Sequence, residues 1–531
     1  METVSRRLSH SSTGTSTPAG SPFRVICTVS PLSPTARRSA SSVFFACEAV
    51  TVFMAVAIIR AIALQTLSGM APQSRIPENR AGGVMDYPIW NVAIGGGVLI
   101  GIIAVLHVVV SHFAVGAGLV MAYAEASHVR RPDPSLRALL VRASMMLILV
   151  STVFGAISGV GIWFVIGLVH PAATSALIHT FVWGWAIEWA FFLLEVITAL
   201  AWYATWDRVR PRTHLLLIVL YAFAAYMSLV VIQGILGFML TPGRWLETRG
   251  FWDGFWNPTY LPGLLFRTGV CLLLAGTYLT LAALREKERD ARGRLVRFLA
   301  RIEVAGVVLA AAGLLAWKAA LPEDVKAIFL GAKPLVVAVA TGWRHLFFAL
   351  AASALLALLA MFLPRAVRWP QAILALVAAF GLLGGYERVR EGARKPFVVR
   401  GYMFSNGILV SEIPQLNKDG ILSKARWVAH EAGRDPVSRG RAVFRAECAS
   451  CHTLDGYLSI RKRTASADAD FLTLLLTALR DDGAKWTAKP PEKPDYPFMP
   501  PFVGTDEELS ALVAYLDSLK TVQTAEATRA H

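Results

Sequence analysis

The sequence predicts an all-α protein: a polytopic membrane helical bundle of about eight transmembrane helices, with one more possible at the N-terminus, followed by a small all-α domain. Three observations predict it. Of 531 residues 55% are hydrophobic and only 17% charged, whereas soluble domains carry about 25% charged residues. Eight apolar runs follow Tyr87, each long enough to cross a bilayer, which takes about 20 residues. Beyond the last run the chain turns polar, and two amphipathic segments, "SRGRAVFRAECASCH" and "GTDEELSALVAYLDSLK", bracket a proline-stiffened loop.

Residues 1–84 read differently from the rest. Residues 1–41 are rich in Ser, Thr, Pro and Arg, and the apolar stretch 42–66 is interrupted by Glu48 and Arg60. A targeting segment, an extra helix or a start misassigned upstream of Met70 or Met85 would each look like this, and the last is favoured.

The eight runs are expected at 89–124, 138–168, 176–206, 214–240, 259–284, 302–320, 343–364 and 370–387. The net charge of +16 raises the question of nucleic acid. The basic residues fall between apolar runs instead, so the expected partner is the lipid bilayer and no nucleic acid. Every second loop is basic: Arg130, Arg131 and Arg137; Arg208, Arg210 and Arg212; six arginines and lysines from Arg285 to Arg297; Arg365 and Arg368. Basic loops stay in the cytoplasm. That places Tyr87 and everything after about residue 388 outside, in a bacterial-type cytoplasmic (inner) membrane with the C-terminal domain on the periplasmic side.

Cys27, Cys47 and Cys271 are scattered, but Cys448 and Cys451 form Cys-x-x-Cys-His with His452. This is the signature of covalent haem c attachment: two thiols bind the vinyl groups and the adjacent histidine becomes the proximal iron ligand. The motif and the outward topology agree independently. "YPFMPPF" places Met499 where a thioether can complete the sixth position, which raises the reduction potential and suits an electron carrier. A redox or zinc CxxC is the alternative, and zinc would need further Cys or His ligands that the domain lacks. The expected segments are a membrane haem domain at 85–400, a linker at 401–431, a cytochrome c domain at 432–520 and a tail at 521–531.

A membrane-anchored cytochrome c needs an electron partner, and ionisable residues inside spans are costly and functional by default. His107 and His112 lie in the first span; five residues on a helix turn about 140°, so they face different directions. The third span carries His179 near its outer end, then Glu188 and Glu195, and a spacing of nearly two turns puts both carboxylates on one face. A transmembrane cytochrome b bundle needs paired histidines on one helix, and a haem–copper oxidase a much richer histidine set. Neither is present.

Three stretches in order, "AVLHVVVSHFAVGAG", "WAIEWAFFLLE" and "EGARKPFVVRGYM", resemble subunit I of the cytochrome bd oxidase family over roughly residues 86–403. The resemblance implies His107 as axial ligand of the oxygen-binding haem, Glu188 beside the catalytic haem pair, Glu391 as ligand of a high-spin haem b and Arg394 as propionate partner. Glu195, one residue out of register, is the weaker transfer. His112 stands where the family usually has proline, and Lys395 and Phe397 replace glutamine and tryptophan. Where quinol-oxidising members ligate a low-spin haem b, this chain has Arg267 and Leu346, with Arg344 and His345 beside the latter. That site is therefore lost or rebuilt around His345. The long quinol-binding loop is replaced by about 25 residues.

The expected function follows: a membrane-bound terminal oxidase-like enzyme taking electrons through haem c and reducing dioxygen to water at a bd-type haem pair. The cofactors would be covalent haem c, haem b, and haem d or a second haem b. The partners would be a soluble or membrane cytochrome c-type donor, dioxygen and a second membrane subunit. A quinol dehydrogenase sending electrons outward, with its site near His345 and Arg267, and a non-enzymatic haem-binding sensor or scaffold stay open as alternatives.

Overall fold

Eight long helices form the membrane part in the computed structural model, which describes residues 89–90, 92–330, 334–489 and 492–529. The region 1–84, with its three readings, lies outside the described residues. The helices are α1 Gly96–Arg130, α2 Pro134–Val169, α3 Val182–Ala204, α4 Pro211–Leu240, α5 Tyr260–Ala283, α6 Arg289–Ala320, α7 Thr341–Phe362 and α8 Trp369–Arg394. All eight are long and apolar enough to cross a membrane.

Their edges differ from the hydropathy reading for physical reasons. Helix α1 begins at Gly96 and not at 89, because Gly95 sits at φ 106 in a run of three glycines. The expected span 176–206 is broken at Phe181, leaving a separate short helix, Pro171–Thr180, ahead of α3. Helix α6 starts at Arg289, far before 302, since Glu288 caps it by accepting from Asp290 N and Ala291 N. Its first turns are amphipathic, with Ala291, Leu295, Val296 and Leu299 buried, so mean hydropathy misses them while helical periodicity explains them. Helix α8 runs on to Arg394, its last turns laced by ion pairs of Glu387 and Glu391 with Arg390 and Arg394.

Helix packing depends on small residues, because lipid supplies no hydrophobic drive between helices. A Cβ at Gly269 of α5 would strike the backbone of Ala310 and Gly306 on α6, so these two helices touch backbone to backbone. One apolar core gathers Phe113, Leu140, Trp202 and Tyr221 from α1, α2, α3 and α4. A second gathers Phe266, Leu314, Trp317 and Tyr386 from α5, α6 and α8, with the Phe266 and Tyr386 rings 4.2 Å apart.

After α8 a short antiparallel pair, β1 Phe397–Val399 and β2 Met403–Phe404, adds a small departure from the all-α expectation. Helices α9 Pro436–Glu447, α10 Ala469–Thr487 and α11 Asp506–Arg529 follow. The segment 401–431 is not a free linker. Phe404, Ile408, Ile413, Leu416, Ile421 and Val428 are buried in one core with Phe444, Leu472 and Leu512. The buried Glu508 ties it down by accepting from Ile421 N at 2.8 Å and Leu422 N at 3.1 Å. Thr505 caps α11: Glu508 N donates to Thr505 Oγ1 at 3.3 Å, and Thr505 N donates back to Glu508 Oε2 at 3.3 Å, a capping box. Helices α9 and α11 cross closely because a Cβ at Gly440 would collide with the carbonyl of Ala511.

The basic loops share one end of the bundle, tied by Arg137–Asp207 at 2.6 Å, Arg142–Glu286 at 3.0 Å and Arg365–Asp290 at 2.7 Å. The C-terminal domain touches the other end. Tyr457 N donates to Ile94 O at 3.3 Å, just before α1, and the 35 residues of α1 separate that contact from Arg130, a length of about 52 Å.

Candidate functional site

The C-terminal site is built by one helix end. Asp435 caps α9 by accepting from Ser438 N at 2.8 Å. Past Glu447 the chain makes one more turn, with His452 N donating to Cys448 O at 2.8 Å, which gathers Cys448, Cys451 and His452. His452 Nδ1 donates to Leu458 O at 2.9 Å, leaving Nε2 to face a metal, the usual orienting bond for a ligating histidine. Burial holds this imidazole below the ordinary histidine range, and burial pushes the Cys448 thiol up. Met499 packs on the same apolar core as Cys448.

Three buried polar atoms around that core, Trp427 Nε1, Trp486 Nε1 and Glu447 Oε1, lack a protein partner. Buried polar atoms are normally paired, so these ask for a further group with polar edges. Two thiols, an oriented imidazole, a thioether and unpaired indole N–H groups fit a covalently held haem c.

In the membrane part His107 and His112 diverge as their spacing predicts. His107, half-buried, has Nδ1 3.1 Å from Ser158 Oγ on α2. His112, buried, donates from Nδ1 to Val108 O at 2.7 Å and accepts at Nε2 from Arg267 at 3.1 Å. Among the described residues His107 Nε2 has no hydrogen bond, whereas both nitrogens of His112 are used. Glu188 and Glu195 do share a face, toward α4: Glu188 accepts from Ser228 Oγ at 2.9 Å, and Glu195 from Ser151 Oγ at 3.2 Å and Tyr221 OH at 3.4 Å. Ser151 sits in a π-helical segment of α2, Ile148–Gly155. Such bulges widen the helical turn and recur at functional sites.

At the outer end, the Glu391 carboxylate is gripped by Arg390 at 2.6 Å and by Arg394, whose Nη1 also donates to Val398 O at 2.8 Å. Arg394 Nε is buried without a partner, which fits a propionate. Deeper in, Arg267 is 1% exposed and each of its nitrogens has a partner: Nη2 donates to Glu387 at 2.5 Å, Nε to Gln233 at 2.8 Å, and Nη1 to His112. Arg344 and His345 lie on the exposed face of α7. Among the described residues no hydrogen bond or ion pair joins His345 to Arg267, whose partners are His112, Gln233 and Glu387. His179 is exposed and bonded only within its own helix, to Ser175 O at 2.8 Å, and joins no cluster.

The two regions meet through the stretch after α8. Phe397 and Phe404 stack at 4.6 Å, Trp486 of α10 caps Phe397 at 5.1 Å, and Ser405 Oγ lies 3.6 Å from Cys451 Sγ.

A family model described as cytochrome bd terminal oxidase subunit I matches residues 98–319, and one described as cytochrome c matches residues 437–520. The chain joins a cytochrome bd oxidase subunit I domain to a cytochrome c domain. The solved bd oxidase from Geobacillus thermodenitrificans shares the fold at TM-score 0.50 and 15% identity, over 58% of this chain and 88% of that one. No curated protein matches. The two domains support an oxidoreductase with terminal oxidase-type electron transfer in a multi-pass membrane protein, the first implying haem b or d and the second haem c.

Several residues around the bd oxidase-like centre escape a reading by motif. Ser151, Ser158 and Ser228 are single hydroxyls in apolar helices, and only the fold shows what they touch. Glu387 and Arg390 were legible in "YERVREGAR" as an acid–base ladder at helical spacing. His170, at the break after α2, lies near Arg394 and is lowered to about 4, by burial first and by that arginine's charge second.

Proposed function

We propose that this chain takes electrons in through haem c and reduces dioxygen to water at a bd-type haem pair, each dioxygen consuming four electrons and four protons to yield two waters. The haem groups supply the redox chemistry and the open iron position; the protein's part is ligation, burial and proton access. His107, oriented by Ser158, would hold the oxygen-binding haem, with Glu188 beside the pair. Glu391 would hold the second haem once Arg390 and Arg394 turn to its propionates. Cys448, Cys451, His452 and Met499 would hold haem c. Glu195, at the junction of Ser151 and Tyr221, is the proton-carrying carboxylate.

The observation that carries the reading is the seat of the cytochrome c domain. The loop just after His452 rests on Ile94 and Gly95, and Gly95 is twelve residues from His107 on the same helix, about 18 Å along its axis. The strand pair after Glu391 and Arg394 packs on α10 beside Cys451. Both halves of the proposed haem pair thus have a short covalent and packed connection to haem c. With the basic loops cytoplasmic, the cytochrome c domain faces the periplasm and meets a cytochrome c-type donor there; a second membrane subunit would cover part of the exposed apolar bundle face. Electrons from outside and protons from the cytoplasm would charge the membrane.

The test is oxygen uptake by the purified holoprotein with reduced cytochrome c and with quinol as alternative donors, alongside extracted-haem and carbon monoxide difference spectra. Uptake with cytochrome c and a carbon monoxide-reactive membrane haem are expected. Quinol-driven reduction of haem c with no gas reactivity would instead favour the dehydrogenase reading, which the buried, ion-paired Arg267 and the exposed His345 already disfavour. Proteoliposomes showing no net proton uptake on the side of the basic loops would remove the charge-separation step.

A further inference from the structure

We propose that the basic recess between the ends of α6 and α7, at the end of the bundle that carries the basic loops, is a headgroup site for an anionic phospholipid. The recess has a volume of about 290 Å³ and is lined by Arg294, Arg297, Arg301, Arg365 and Phe298 among others. Arg294, Arg297 and Arg301 are spaced by three and four residues, so they form one stripe along α6. All three are exposed, and none has an acidic partner among the described residues.

The carboxylates at this end are engaged elsewhere, Asp207 by Arg137 and Glu286 by Arg142, and the only acid lining the recess, Asp290, is taken by Arg365 at 2.7 Å. Three unneutralised guanidinium groups therefore point into one small space. Guanidinium offers paired N–H donors that match phosphate oxygens. The floor is apolar, with the Phe298 ring stacked 5.6 Å from Tyr123.

The choice of a lipid rests on what adjoins the recess. Farther along the same two helices the outward faces carry Val308 and Leu315 on α6 and Leu355 on α7, with Phe362 at the end of α7 beside the recess, all strongly exposed. Acyl chains can lie on that face while the phosphate meets the arginines, whose long side chains reach toward the headgroup level. Basic pockets between transmembrane helices on the cytoplasmic side are suited to anionic headgroups. A soluble anion would need the arginines alone and would leave the adjoining apolar face unexplained.

The experiment uses the full-length holoprotein, delipidated in neutral detergent and given back phosphatidylglycerol, phosphatidylcholine or inorganic phosphate, with bound lipid read by native mass spectrometry. The expected result is retention of phosphatidylglycerol and not phosphatidylcholine, no displacement by phosphate, and retention in R294K/R297K/R301K below wild type but well above that of the glutamine variant, since lysine keeps the charge and loses the paired donors. In R294Q/R297Q/R301Q retention should fall roughly a hundredfold, at about fivefold per basic side chain near a membrane surface. Equal retention in the glutamine variant, equal binding of both lipids, or displacement by phosphate would each overturn the site. If the triple variant loses its haem spectrum, R297Q alone carries the test: a fivefold loss supports the site and an unchanged affinity removes it.

Discussion

Arg267 offers the sharpest test of how the bundle is held together, because its guanidinium is 1% exposed and meets three partners on three different helices. Replacing it by methionine keeps most of the volume and removes the charge. Gln233 Oε1 and His112 Nε2 then lose their donor, and Glu387 keeps only Arg390, at 3.0 and 3.1 Å. Breaking one side of a buried ion pair costs about 3–5 kcal/mol, in line with about 1–3 kcal/mol for each buried group left unsatisfied. At roughly 2 °C per kcal/mol for a large domain, the apparent Tm should fall by about 6–10 °C. The assay is thermal loss of the membrane haem absorbance at one fixed scan rate, since unfolding of such a protein is a rate as much as an equilibrium. Arg267→Lys should lie between wild type and Arg267→Met. Adding Glu387→Leu to the methionine variant should recover part of the loss, because the uncompensated charge is then gone. A methionine variant within about 2 °C of wild type would refute the reasoning.

Cys448→Ala with Cys451→Ala should abolish covalent haem on a denaturing gel stained for haem peroxidase activity while leaving the membrane haem spectrum in place; haem c still covalently bound would contradict the assignment. Glu195→Gln should slow oxygen uptake about a hundredfold or more, the usual weight of a positioned proton-transfer group, with haem content unchanged; a wild-type rate would remove Glu195 from the proton path. His170 gives the pH dependence. Its folded value near 4 lies below the unfolded value near 6.5, so protons favour the unfolded chain and stability falls as pH drops through that window. Between pH 7 and pH 5 this amounts to about 2 kcal/mol, to be read as a Tm difference that His170→Gln should abolish.

Most of the fold was legible because the signals were local. Eight apolar runs and alternating basic loops follow from desolvation and charge, whereas the caps at Asp435 and Glu508 emerge only from the structure. The edges were less so. Hydropathy averages away the amphipathic first turns of α6, where Leu295 and Leu299 face inward while Arg294 and Arg297 face out. It also cannot see the break at Phe181. The segment 401–431 looked like a linker because Ile408, Ile413, Ile421 and Val428 are spaced irregularly, each buried by a different short turn. At the candidate site, the haem c motif and the shared face of Glu188 and Glu195 were readable from spacing alone. The partners of His107, Glu195 and Arg267 were not, since Ser158, Ser151 and Gln233 lie on other helices and only packing brings them near.

If haem c feeds an oxygen-reducing centre in the membrane, rapid mixing of the fully reduced holoprotein with oxygen, followed at the haem c band, should show haem c oxidised within the turnover that consumes oxygen and re-reduced by a soluble cytochrome c-type donor. A haem c that stays reduced while oxygen disappears, or no oxygen consumption at all, would contradict it.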